Sequence, residues 1–102
     1  MFEERIPREL REALLWCEWA RRELEQARAM LHEAAYVPPE WDAYIGAAVA
    51  RMTRALEEVV EAYRRGEIAL DAALARLESE FDLTKLDPPG ADRIVRREPT
   101  RW

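Results

Sequence analysis

Glycine, serine, histidine and cysteine are all scarce in this 102-residue chain, and each scarcity removes a class of chemistry. Only three glycines are present. They are dispersed, so no glycine-rich loop can turn a set of backbone N–H groups onto a phosphate. Ser79 is the one serine and lies in an acidic stretch, which leaves no Ser-His-Asp set. The one histidine, His32, has Ala29 three residues before it. Carboxylate metal sites in helical bundles use Glu-x-x-His, so that signature is absent. His32-Glu33 is not followed by a second histidine, so there is no zincin pattern either. No metal and no cofactor is expected. Cys17 is alone, so no internal disulfide can form, and its place in an apolar stripe suits a small hydrophobe. No run of residues approaches the roughly 20 apolar residues of a membrane span. Charges are scattered through the first 20 residues, unlike a secretory leader. The formal net charge of -5 argues against general affinity for nucleic acid or an anionic membrane surface. A soluble, cytoplasmic protein is expected.

Alanine, leucine, glutamate and arginine fill most of the chain, and 49% hydrophobic against 36% charged residues is a globular balance. The pattern predicts an all-α protein built around one antiparallel hairpin. Leu10, Ala13, Cys17, Ala20, Leu24, Ala27, Leu31 and Ala34 recur at alternating three- and four-residue steps, as do Ile45, Ala48, Met52, Ala55, Val59 and Ala62. That spacing keeps one side chain per turn on a single face. Within each stripe larger residues alternate with alanines, which predicts a close seam of large against small. Leu31 is expected opposite Ala48, Leu24 opposite Ala55 and Cys17 opposite Ala62, with Ala27 facing Met52 and Ala20 facing Val59.

The predicted helices cover about 7–36, 39–65 and 69–82, within a helical domain of residues 1–86. Pro38 and Pro39 cannot continue the first helix, and Pro39 suits the opening of the second. Gly66 fits a left-handed stop. The third helix shows Leu70, Ala73, Leu74, Leu77 and Phe81 on one face, but its cap position is Ala69, a poor one. Asp87-Pro88-Pro89-Gly90 breaks the pattern, and 87–102 is an extended arm rich in arginine.

The best functional expectation is a non-enzymatic helical protein–protein interaction module: a small subunit, adaptor or regulator. Trp16, Trp19 and Tyr44 lie off the seam, and Arg93, Arg96, Arg97 and Trp102 sit on the arm; these are the candidate partner-binding residues. Trp16, Leu14, Val49, Leu56 and Tyr63 offer more off-seam apolar surface than a hairpin and one short helix easily cover, so a homodimer is expected. The arm is expected to serve binding and to contribute little to folding. Two alternatives stand beside this. One is an antitoxin-like or phage-type inhibitor acting through its arm. The other is an enzyme whose active site forms between subunits. Arg28 and His32 share a face, but three residues separate them, where small helical RNA-cleaving proteins of the HEPN type have four to six. No catalytic residue is assigned, and His32 is expected to be exposed beside the turn.

Overall fold

The computed structural model describes residues 6–96. The apolar Met1 and Phe2, and the arm residues Arg97 and Trp102, lie outside them. Three helices form where the apolar spacing predicts them: α1 (Arg8–Ala34), α2 (Pro39–Arg64) and α3 (Leu70–Glu80). Each end falls within two residues of the predicted boundary. Pro7 precedes α1 with φ -62°, and its carbonyl accepts the Arg11 N–H at 3.0 Å. The missing proline N–H costs nothing there. The Pro38 carbonyl opens α2 in the same way, accepting from Trp41 and Asp42 at 3.1 Å each. At the far end of α2, Gly66 takes φ +74°. The Gly66 N–H then reaches the Tyr63 carbonyl at 3.0 Å and the Glu67 N–H reaches Ala62 at 2.8 Å, the paired closure that a left-handed residue after a helix permits.

Two local features depart from the sequence-based expectation. Ala35 and Tyr36 leave the helix as a short strand, β1 (Ala35–Tyr36), which pairs antiparallel with β2 (Val95–Arg96). Ala35 lies opposite Arg96 and Tyr36 opposite Val95. Asp82, expected as an acidic residue at the unfavourable end of the third helix, instead starts a new turn. Its Oδ1 accepts from the Thr84 backbone N–H at 3.1 Å and from the Thr84 hydroxyl at 2.5 Å, which holds a single 3-10 turn over Leu83–Lys85. Its carboxyl is lowered from the ordinary value first by the Thr84 hydroxyl and then by the Thr84 N–H.

α2 is the central element. Ile45, Ala48, Val49, Met52, Ala55 and Val59 are all buried, so its stripe is covered along the whole helix. α1 contributes Leu10, Cys17 and Ala20 to the interior, and α3 contributes Ala73 and Leu77. Leu10, Cys17, Met52, Ala55, Val59, Ala73, Leu77 and Phe81 form one cluster at the open end of the hairpin. α3 is poorly capped, with no side chain on its first N–H groups beyond Asp71 accepting from Ala72. It is held instead by this cluster and by two ion pairs to α2, Arg76–Glu58 at 2.8 Å and Arg51–Glu80 at 3.6 Å. A helix of 11 residues is marginal alone, so docking supplies its stability.

The large-against-small stripe is therefore buried from Ile45 to Val59 on α2, with Ala62 partly exposed, but only in part on α1. Leu24 and Leu31 are half-buried, and Ala27 and Ala34 are exposed. The reason is length: α3 covers only the open half of the hairpin, and past Phe81 the third layer becomes non-helical chain. Leu14, Leu56 and Tyr63, expected to need a second molecule, pack against the core within one chain, and Val49 is 7% exposed. Of that group Trp16 alone stays outside, at 59%. Cys17 is buried, and desolvation pushes its thiol up to about 11, as expected of core filler.

Leu10 is fully buried and Ala55 is 3% exposed, so the two test the packing in opposite directions. Leu10→Ala is expected to cost about 2–5 kcal/mol by leaving a cavity. Ala55→Leu is expected to cost about 1–3 kcal/mol by overpacking. Urea melts of both variants measure these, and a neutral Ala55→Leu would rule out close packing at that level of the bundle.

Candidate interaction surface

Most of the large apolar side chains left in solvent lie on α1. Leu15 is 71% exposed, Trp16 59%, Trp19 57% and Met30 59%. Leu15, Trp19 and Met30 arise on the side of the helix turned away from Leu10, Cys17 and Ala20, and Trp16 lies at the edge of that side, lining a shallow groove with Cys17 and with Leu74 and Leu77 of α3. Trp16 and Trp19, one turn apart, meet with ring centroids 6.4 Å apart and planes tilted by 46°. That contact is within the favourable range for aromatic pairs and fixes the two indoles as one raised feature. Monomeric proteins scatter single apolar residues over their surface, whereas several large ones on one helix, two of them in contact, make this face the candidate contact surface.

Beside this patch, Arg21 donates to Glu18 at 2.7 Å and to Glu25 at 3.0 Å. Its guanidinium is held charged first by the Glu18 hydrogen bond. These three residues form a polar border on the α2 side of α1, so the apolar patch is bounded there.

The expected partner-binding residues separate into two groups. Trp16 and Trp19 belong to the patch. Tyr44, Arg93 and Arg96 belong to a second structure, the strap formed by the first part of the arm. The Tyr44 hydroxyl accepts from the Asp87 backbone N–H at 3.4 Å. Arg93 forms an ion pair with Glu40. Arg96 is exposed in β2, opposite buried Ala35. Gly90, at φ +82°, lies against the turn so closely that an added Cβ would meet Pro38 at 3.3 Å and the Arg93 guanidinium at 3.0 Å. The arm's described residues therefore run back over the turn of their own hairpin. The acidic residues elsewhere on α2 and α3 pair with neighbouring arginines: Glu58 with Arg76, Glu61 with Arg65 and Glu80 with Arg51. The contacts oppose the expectation that the arm contributes little to folding.

A third cluster sits at the turn end and was missed by sequence reasoning. Arg28 donates to both oxygens of Asp42, from Nε at 2.7 Å and from Nη2 at 3.0 Å. His32 is exposed, as expected, but its Nε2 contacts Asp42 Oδ1 at 2.6 Å. Arg28 and His32, one turn apart on α1, hold Asp42 from the first turn of α2. The guanidinium lies over Gly46, where an added Cβ would come within 3.1 Å of Nη2. Arg28 and then His32 hold the Asp42 carboxyl far below the usual carboxylate range. An ionised carboxylate accepts only, so His32 Nε2 donates. With three N–H groups on it, Asp42 is spent as a base, and the cluster acts as a tie between helices. The sequence signal was present in Arg28 and His32 at a one-turn spacing, but nothing local marked Asp42 as their shared acceptor.

Among the described residues, no group of three or more His, Cys, Asp or Glu side chains could hold a metal ion. No helix among them is long and apolar enough to cross a membrane. No protein-family model, curated protein or solved structure matches this chain.

Two predictions follow from the turn-end contacts. Asp42→Asn is expected to cost about 1 kcal/mol at neutral pH, a charge-assisted pair discounted for its partial exposure. The folded-state value lies below the unfolded one, so this advantage is full above the unfolded carboxyl's value of about 3.9. It declines only as pH falls toward the depressed folded value, in strong acid. Denaturant melts of wild type and variant across that range measure the difference. Deleting residues 87–102 is expected to lower the melting temperature by at least about 4–8 °C, the shift for a loss of about 1 kcal/mol in a domain of this size. An unchanged melt would show that the strap adds nothing to the fold.

Proposed function

We propose that this protein is a non-enzymatic helical interaction module, a small subunit or adaptor, that engages a protein partner through the outer face of α1. The single observation that carries this is the group Leu15, Trp16, Trp19 and Met30, each more than half exposed on one helix. Tryptophan is enriched among the residues that dominate binding energy, because it buries much area at little entropic cost. Here the two indoles already support one another at 6.4 Å, so little order remains to be gained on docking. The core needs neither of them: Trp16 and Trp19 lie outside the cluster that holds α1, α2 and α3 together. Their position is thus explained by contact with another molecule better than by folding.

The test uses the full chain as bait in a lysate of its own cells, beside the variant Trp16→Glu/Trp19→Glu. Both substituted positions are exposed, so circular dichroism and the melting temperature should be unchanged. The wild type is expected to retain a defined protein set that the variant loses. Equal retention by the two baits would place any binding elsewhere on the molecule.

A further inference from the structure

The exposed side of α1 carries a second stripe in addition to the buried one. Glu12, Trp16, Trp19, Glu23, Gln26, Met30 and Glu33 follow one another at steps of four, three, four, three, four and three residues, and all seven are exposed. This is the spacing of a helix seam facing another helix. Its composition is unusual for a seam that meets an arbitrary apolar groove, because glutamate recurs at three of its seven positions. Buried unpaired carboxylates are costly, so the occupant must place something suitable opposite each one.

We infer that a second copy of the chain occupies this face, with the two α1 helices antiparallel and paired residues summing to 49. In that register Trp19 lies over Met30 of the second copy, Trp16 over Glu33 and Glu23 over Gln26, and the twofold axis repeats each pair. Every pair is chemically matched. A thioether against an indole is a favourable contact. An indole N–H is a donor without acceptor capacity, and Glu33 supplies the acceptor. A glutamine amide donates to the Glu23 carboxylate. Beside the seam, Leu15 falls over Ala34, again large against small. The overlap is residues 15–34 of each copy, about 30 Å of helix.

The neighbouring registers are worse for identifiable reasons. A shift of one heptad to a sum of 42 sets Met30 over Glu12, a carboxylate with no donor opposite it, and leaves no apolar pair on the seam. A shift to a sum of 56 sets Glu23 over Glu33, a like-charge pair. A parallel pair in register places Glu12, Glu23 and Glu33 each against itself. Like charges directly opposed are repulsive, and such juxtapositions exclude wrong arrangements. Among these arrangements only the sum of 49 sets an apolar pair, Trp19 over Met30, while placing no glutamate directly opposite another. The inference rests on the proposal that the α1 outer face is a contact surface, and it names the occupant.

Sedimentation and cross-linking of the full chain decide it. At tens of micromolar the wild type should show twice the 12.0 kDa mass of one chain. Trp19→Glu should raise the dimer dissociation constant at least about ten-fold with unchanged helix content. Cys17 is buried, so an added surface cysteine is the reactive one. When Glu23→Cys and Gln26→Cys chains are mixed and oxidised, the mixed disulfide dimer should dominate. Glu12→Cys should not cross-link, since its two copies would lie about 35 Å apart along the pair. A cross-link at Glu12→Cys would overturn the antiparallel register. A wild type sedimenting at 12.0 kDa overturns the second copy altogether. If that monomer still loses its lysate partners in the Trp16→Glu/Trp19→Glu variant, the contact surface stands and its occupant is a different protein. If it retains them, both fall.

Discussion

Burial of the α2 stripe is the constraint on which the rest of this molecule depends. From Ile45 to Val59 that helix is covered at every turn, and its cover changes along its length. α1 lies along one flank. On the other flank α3 covers the half away from the turn, and the chain after Phe81 continues toward the turn itself. The result is an elongated body 62 Å long and 24 by 17 Å across. A two-helix hairpin leaves part of each stripe in water, and the modest third element is the minimum that closes the central one.

The two ends of the hairpin are held by different forces. At the open end the cluster around Leu10, Met52, Leu77 and Phe81 is apolar, and burial of that area holds α3 despite its poor cap. At the turn end the ties are polar. Asp42 accepts from Arg28 and His32, Glu40 pairs with Arg93, and β1 pairs with β2. Two glycines make room for them: Gly46 beneath the Arg28 guanidinium and Gly90 against Pro38. Apolar burial is non-directional, whereas the turn-end contacts fix distances and angles. The turn end thus sets how the helices enter and leave the Pro38-Pro39 corner.

α1 has two faces of different composition. Leu10, Cys17 and Ala20 are buried, while Trp16, Trp19 and Met30 are exposed. The buried set belongs to the packing of the three helices, and the outer stripe mixes large apolar groups with Glu12, Glu23 and Glu33.

Helix positions, the stop at Gly66, the proline turn and the burial of Cys17 were legible in the sequence. Each is set by short-range rules: a period of 3.6, the missing proline N–H and the left-handed freedom of glycine. Off-seam aromatics were legible too, as residues that the main stripe does not place. What only the tertiary structure decided is where chains distant in sequence meet. Val95 and Arg96 join a two-residue strand that has no periodicity to read. Asp42 finds Arg28 and His32 across the turn, and Arg93 finds Glu40. Val49 is buried and Leu14, Leu56 and Tyr63 are partly buried against the core of one chain, an outcome of three-dimensional packing that composition does not encode. Periodicity determines which face of a helix turns inward, and the length and path of its neighbours determine how much of that face is covered.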